Sequence, residues 1–342
     1  MIKLFKPYIS KEAIKGVKRV FDSGQLAEGI EVKLFEKELE KTLFKRNIVT
    51  LNSGTSALEL AYELAGIKEG DEVITPVLTC TATNIPLVRR KAKIIFADIS
   101  KDLNINIEDV KNKITNKTKA VVFVHFGGNN RGLNELYKLC KDKHITLIED
   151  AAQSIGSNHW GKGDFSCVSL QAIKTITSGD GGFLLCRNKE DYKKAKKLRW
   201  FGYDREEKQE KGDIDLDLAG YKYHMNNISA AIGRSNLKDL KKLMDHQEEI
   251  AKIYKSYGLF AYTWLAGGFT EDYEGLKREM LMNGIEIGQH HYRNDKYSIF
   301  GGRIKLSIMD SIENKYFFVP FHYEVTKRQA HLIGKICKNF IK

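Results

Sequence analysis

Between residues 50 and 190, short β-branched and apolar runs alternate with longer stretches of helical periodicity, and no other feature of the 342-residue chain restricts its fold so much. Glu72 to Thr75, Ala92 to Ala97, Ala120 to His125, Ile145 to Glu149, Phe165 to Leu170 and Gly182 to Cys186 read as strands. Helical spacing follows Thr55 and then covers Thr81 to Arg89, Ile107 to Ile114, Leu133 to Lys143 and Lys189 to Arg199. Strands joined through helices pair in parallel, and a parallel sheet needs cover on both faces. The pattern predicts an α/β domain whose mostly parallel sheet carries helices on both sides.

Two amphipathic segments, Ser10 to Ser23 and Ile30 to Leu43, precede this unit as an N-terminal helical arm or lid. From about Ser235 a helix runs toward Tyr257, followed by helical signals at Tyr273 to Asn283 and Lys327 to Phe340. A chain of this length exceeds one core, so residues 1–235 are expected to form the large domain and 236–342 a smaller α+β domain.

The formal charge of +12, from 56 Lys and Arg against 44 Asp and Glu, suits plain surface solvation or attraction of anionic small molecules. The lysines are spread along helices without a finger, RNP or basic-arm pattern, so nucleic acid is not an expected partner. Cys80, Cys140, Cys167, Cys186 and Cys337 are odd in number and include no CxxC pair. Neither a disulfide framework nor a metal site is indicated, and a reducing cytoplasm is the expected location. No apolar run approaches the ~18 residues of a membrane span, so no membrane partner is expected.

In parallel sheets ligands sit beyond the carboxyl ends of the strands, which directs attention to Thr75 to Thr79, His125, Asp150 and Lys174. Asn52-Ser-Gly-Thr-Ser-Ala-Leu58 puts Gly54, Thr55 and Ser56 at a helix start, where free N–H groups attract phosphate; the same residues also make an ordinary N-cap. Asp150 ends an apolar strand and asks for a cationic partner, or else is a cap or surface pair. Lys174 lies between an apolar run and the stretch Ser-Gly-Asp-Gly-Gly, where partial desolvation lowers an ammonium pKa and makes it a nucleophile or base. Each signal alone has an ordinary explanation; the set in this order points to a cofactor site.

The segments NSGTSALELA, GDEVITP, AKIIFADI, IEDAAQSIGS, SLQAIK, GDGGFLL and HMNNISAAIG follow one another between about Leu26 and Ile232. Together they resemble the DegT/DnrJ/EryC1/StrS family of sugar aminotransferases, and QHHYRND is similar to a segment of some members. The resemblance implies the fold type I architecture of the aspartate aminotransferase superfamily, with pyridoxal 5'-phosphate as cofactor and a homodimer sharing two active sites. It implies that Lys174 forms the Schiff base and shuttles a proton, and that Asp150 pairs with the pyridine nitrogen. Gln153 would bond the ring 3′-oxygen, Ala152 would pack on one ring face, and Gly54, Thr55, Ser56 and Ser169 would hold the phosphate.

Two positions depart from the family pattern. Cys80 stands where members commonly stack an aromatic ring on the pyridine, which a thiol does less well. In Gly220-Tyr-Lys-Tyr-His224, Lys222 replaces an Asn that reaches the partner subunit's phosphate, and His224 replaces an Arg. The implied activity is transfer of an amino group from an amino acid, L-glutamate being expected, to a nucleotide-linked keto-deoxysugar such as a GDP-, dTDP- or UDP-4-keto-6-deoxyhexose. The family's sugar dehydratases carry histidine in place of the lysine, so Lys174 argues against that alternative; a non-catalytic pyridoxal-phosphate-binding regulator is the other. The lobe around Tyr257 to Gly268 is short, which implies a reshaped pocket, with His290, His291, Tyr292 and Arg293 either facing substrate or forming a polar surface turn.

Overall fold

The computed structural model describes residues 1–157 and 159–341. Seven strands form the central sheet: β1 (Ile48–Leu51), β2 (Glu72–Pro76), β3 (Lys93–Ala97), β4 (Thr118–Val124), β5 (Thr146–Asp150), β6 (Phe165–Ser169) and β7 (Gly182–Cys186). Their spatial order is β1-β7-β6-β5-β4-β2-β3. All neighbours pair in parallel except β7, which runs against both β1 and β6. One reversed strand makes the sheet mixed, yet it keeps the carboxyl ends of β1, β2, β4, β5 and β6 on one edge, beside the start of β7. That edge is where the chemistry gathers.

The six strands expected from the sequence are present, Gly182–Cys186 with the expected bounds and the others with ends shifted by at most two residues. β1 is an addition. Its four residues, Ile-Val-Thr-Leu, are all buried but too few to show a period, and pairing with β7 rather than local pattern makes them a strand.

The helices Ala13–Ser23 and Ile30–Leu43 lie against Asn227–Leu237. Their contact is close: a Cβ on Gly233 would come within 2.5 Å of the buried Phe35 ring. Arg199 is buried between Glu28 at 2.9 Å and Glu36 at 2.5 Å, tying the arm to the sheet domain. The single helix expected from Ser235 toward Tyr257 is instead two, Asn227–Leu237 and Leu240–Ser256. The break is built by side chains: Asn236 donates to the Thr177 carbonyl at 2.7 Å and accepts from the Ser10 N–H, while Asp239 accepts from the Tyr8 hydroxyl.

A second sheet, antiparallel in the order β10-β9-β8, is formed by β8 (Phe260–Ala261), β9 (Ala266–Phe269) and β10 (Tyr316–Val319). Leu240–Ser256, Tyr273–Met282 and Lys327–Lys338 cover it around a core that includes Tyr254, Leu276, Phe317 and Ile333. The first residues of the chain lie along this lobe: Ile2 bridges to Ile285, and Lys3 pairs with Glu286 at 2.7 Å.

The lobes dock through one apolar cluster, including Val77, Phe96, Phe126, Trp264, Met309 and Phe318, and through spent polar groups at its margin. Asp98, just past β3, accepts the N–H groups of Ile308 and Met309 at 2.8 and 3.0 Å, occupying the free donors of a helix start. Asn294 donates its backbone N–H to Val77 and its side chain to the Thr79 carbonyl, each at 2.7 Å. Small-lobe residues are thereby anchored to the loop that follows β2.

Candidate active site

At the strand edge, Ser53 caps the helix Gly54–Leu64 by accepting the Ser56 N–H at 3.0 Å. The N–H groups of Gly54 and Thr55 stand before any intrahelical acceptor and open toward the strand ends. Gly54 and Gly182 make this cradle possible. A Cβ on Gly54 would lie 2.9 Å from Ser169 Cβ, and one on Gly182 would lie 2.6 Å from the Gly54 nitrogen. Backbone and the Ser169 side chain therefore converge where glycine leaves room, the arrangement that suits a phosphate at a helix N-terminus.

Ser56 differs from the expectation that it holds phosphate. Its hydroxyl donates to Asn52 Oδ1 at 2.6 Å and its N–H is taken by Ser53, so its polar groups complete the cap. Gly54 and Thr55, both half-buried, and the buried Ser169, whose Oγ accepts the Gln171 N–H at 3.2 Å, make up the rest of the cradle.

β5 ends in two adjacent acids, which the strand's alternation sends to opposite faces. Glu149 is fully buried and accepts from His125 Nε2 at 2.7 Å, Gly161 N at 3.0 Å, Lys162 N at 2.6 Å, Gly163 N at 2.5 Å and Ser166 Oγ at 3.2 Å. Burial alone would raise its pKa; His125 and the backbone donors outweigh burial and leave it below the usual range. Glu149 therefore holds the 161–163 loop. Asp150 accepts from Thr83 Oγ1 at 2.7 Å and Ala152 N at 3.2 Å. Thr83 in turn meets Thr79 at 2.8 Å, so Asp150 is oriented yet retains acceptor capacity toward the site.

Lys174 follows β6 in a half-buried position. Burial pulls its pKa down to about 8, opposed chiefly by Asp150. Its Nζ lies 3.9 Å from the centre of the Trp264 ring. Trp264 is held in turn: its indole N–H donates to the Ile173 carbonyl at 3.1 Å, and its backbone N–H to Gly127 at 2.8 Å. Phe5 stacks on it at 5.2 Å, and His290 meets it edge-on at 5.1 Å.

Three expectations for the small lobe resolve differently. His290 and His291 are not a surface turn; they stand beside Lys174, and burial, reinforced by that lysine for His290, lowers His290 to about 3. His291 is also held far below its ordinary value by burial, and its Nε2 lies 3.1 Å from the Gln153 amide. Both rings are neutral at ordinary pH. Arg293, expected either to face substrate or to lie in a polar surface turn, does neither and is fully buried. Its guanidinium is used by Asp295 at two 2.7 Å contacts, by Asp310, by Glu313 and by the Ile304 carbonyl, so no donor is left for a substrate. The third is the short segment before Gly268: it forms the tight turn that delivers Trp264.

Gln153 accepts from Gly127 N at 2.6 Å, which fixes its amide, and Ala152 sits half-buried next to Asp150. Cys80 stands at the N-cap position of the helix Thr81–Arg89 with no capping bond from its thiol, within the field of Asp150 and Lys174, and burial pushes that thiol up. Lys222 is exposed and gives only its carbonyl to Asn52, while His224 bridges to Leu51 and lies edge-on to Trp200 at 3.9 Å. Burial, then Arg205, lowers His224 to about 4. Thr83 and Trp264 were missed by sequence reasoning. Thr83 had a readable signal, a hydroxyl in the first turn of the helix that follows the β2 loop; Trp264 had none, since the hairpin turn between β8 and β9 carries it across to the other lobe.

The family model for the DegT/DnrJ/EryC1/StrS aminotransferase family matches residues 7–259. The GDP-perosamine synthase of Vibrio cholerae is 33% identical over 306 residues, 84% of this chain and 82% of that protein. An uncharacterized Methanocaldococcus jannaschii protein is 36% identical over 261 residues, 73% and 68% of the respective lengths. The sugar aminotransferase CalS13 of Micromonospora echinospora superposes with a TM-score of 0.92 at 27% identity, covering 99% of this chain and 100% of its own. The fold and the strand-edge site define a pyridoxal-phosphate-dependent aminotransferase. The chain belongs to the DegT/DnrJ/EryC1/StrS aminotransferase family.

Its cofactor is pyridoxal 5'-phosphate, and the residues present fit that group. A glycine-cleared anion cradle, an oriented carboxylate and an amine of lowered pKa answer its phosphate, its ring nitrogen and its aldehyde.

Proposed function

We propose that the enzyme transfers an amino group from an amino acid, L-glutamate, to the keto group of a nucleotide-linked deoxysugar, a 4-keto-6-deoxyhexose, as a cytoplasmic homodimer. The observation that carries this reading is the placement of Lys174: its Nζ stands 3.9 Å from the Trp264 ring centre, in the field of Asp150 at the end of β5, and burial draws its pKa down to about 8. When bound, the cofactor supplies a carbonyl that exchanges amines and a ring that accepts an electron pair.

The chain does the rest. Lys174 Nζ would hold the cofactor through its aldehyde carbon and, when free, would carry a proton to and from the reacting carbon in both half-reactions. Near neutral pH it supplies both amine and ammonium, which a general acid–base needs. Asp150, oriented by Thr83 and the Ala152 N–H, would keep a proton on the ring nitrogen. Gly54, Thr55 and Ser169 would hold the phosphate, with Lys222 of a second copy as a further donor. Ala152 would pack on the ring, Gln153 would bond its 3′-oxygen, and Cys80 would line the ring pocket. Trp264, His290 and His291 exclude water and offer the sugar neutral imidazoles, which bond hydroxyls without demanding a charge.

The nucleotide-linked sugar is supported by what relatives are named for: besides GDP-perosamine synthase, a Campylobacter jejuni relative at 29% identity is a UDP-4-amino-4,6-dideoxy-N-acetyl-beta-L-altrosamine transaminase. A lysine at residue 174 favours amination over dehydration. The homodimer is supported by exposed apolar side chains on the arm and nearby loop, Ile14, Phe21, Leu26, Ile30 and Phe201, which a second copy would cover. The cytoplasm is supported by five free cysteines. Residues 1–235 and 236–342 are the proposed domains, each built on one sheet.

The test is spectroscopic. Purified protein with pyridoxal phosphate should show the band of the lysine-bound cofactor, and L-glutamate should convert it to the pyridoxamine spectrum. Adding a GDP-, dTDP- or UDP-4-keto-6-deoxyhexose should restore the band and yield the amino sugar by mass spectrometry. No band at all would refute the enzyme reading; a band unmoved by glutamate would refute the donor.

A further inference from the structure

The wall that faces Lys174 is a rigid aromatic face. Nζ sits 3.9 Å from the Trp264 ring centre, within the distance at which a cation gains from a ring's quadrupole. Trp264 is 4% exposed and held at three points: indole N–H to Ile173, backbone N–H to Gly127, and the Phe5 ring stacked at 5.2 Å with a 17° interplanar angle. Its acceptor Ile173 is the residue next to Lys174, so ring and lysine backbone move as one unit. The ring also closes the lysine's side of the site with material from the other lobe.

We infer that the face of Trp264 is the resting place of the Lys174 amine whenever that nitrogen is not covalently engaged, making Trp264 a positioning residue for it. The inference rests on Lys174 having the role proposed above. During half of each turnover this side chain must be free, protonated and still within reach of the reacting carbon. An ammonium in a dry wall otherwise swings toward water or toward Asp150, and either leaves it misplaced. The indole face offers attraction without a hydrogen bond that would have to be broken before the amine returns, and burial still keeps the amine easy to deprotonate.

Asp150, Cys80, His290 and His291 act on Nζ, and Lys6, Tyr8, His322 and Tyr323 line a cavity together with Lys174 and Trp264. All of them remain in the variants that test the idea. Trp264→Phe keeps a ring and loses the indole N–H; Trp264→Leu keeps an apolar wall and loses the ring. The readout is the titration midpoint of Lys174 in the protein without added cofactor, from brief acetic anhydride labelling across pH and mass spectrometry of the peptide carrying residue 174. Lys45, which lies 5.1 Å from the Trp160 ring, is the internal control.

The expected midpoint falls in the order wild type, Trp264→Phe, Trp264→Leu, with a total shift of about half a unit to one unit, while Lys45 stays constant. A midpoint in Trp264→Phe equal to wild type, or one in Trp264→Leu equal to or above it, overturns the inference. If Trp264→Leu fails to fold by circular dichroism, Trp264→Phe alone decides. Failure of the enzyme reading is separate: wild-type protein would show no cofactor band, whatever the labelling gave.

Discussion

The two walls of the site are built by different means. On the large-lobe side, Asp150, Ser169, Lys174 and the Ser53 to Ser56 turn sit at strand ends, placed by a sheet whose period is written in the chain. On the small-lobe side, Trp264, His290 and His291 come from a turn and an irregular segment, placed only because Asp98, Asn294 and an apolar cluster lock the lobes together. The first wall supplies the reacting groups, and the second supplies dryness and shape. Substitutions in the first should therefore remove chemistry from a stable protein, and those in the second should disturb stability or substrate fit.

The largest effect expected is at Lys174. Lys174→Ala should lose the cofactor band and about 10⁴-fold or more in transamination rate, with an unchanged melting curve. Retained activity would break the contrast at once. Arg293→Ala is its small-lobe counterpart. Removing one partner of a buried charge network costs about 3–5 kcal/mol, so unfolding by denaturant should shift strongly while KM for the sugar in the folded fraction stays near wild type. A pure KM effect would restore Arg293 as a substrate contact.

The contrast sharpens to two neighbouring residues on β5. Asp150→Asn should cost about 10²-fold in rate with little change in stability, since it weakens stabilisation of charge at the reaction centre. Glu149→Gln should do the reverse, keeping the cofactor band and losing about 2–3 kcal/mol of stability as five donors exchange a carboxylate for an amide. Stopped-flow absorbance and chemical denaturation on both variants separate the two outcomes.

The smallest effect is in pH. Lys174 attacks as the free amine, so capture of pyridoxal phosphate by the protein should rise with pH and level off above about 8. His290, lowered to about 3, is neutral throughout that range and should add no acid limb between pH 5 and 7. An inflection near the ordinary histidine value, abolished by His290→Gln, would show that the small-lobe wall is wetter than its burial indicates.

The sequence made the large-lobe wall readable because alternating strands and helices fix where strand ends lie, and Asp150, Lys174 and Gly54 each sit at such an end. β1 was not readable: four residues carry no period, and only pairing with β7 defines them. Ser56 was read for its residue type, but whether a hydroxyl faces the ligand or closes the cap depends on Asn52 and Ser53, which share the same local signal. For His290, His291 and Arg293 the difficulty was tertiary. Within four residues the segment divides between the cavity, where His290 and His291 lie, and a buried ion network, which Arg293 joins, according to how the lobes dock, and a charge in an irregular segment gives no sign of which it will join.

The central claim is that Lys174, facing Asp150 and backed by Trp264, is the residue that carries the cofactor. Borohydride reduction of the protein loaded with pyridoxal phosphate, followed by digestion and mass spectrometry, tests it directly. The account predicts one pyridoxyl group per chain, on the peptide containing Lys174, absent after prior conversion with glutamate. A label on another lysine, or scattered over several, would contradict it.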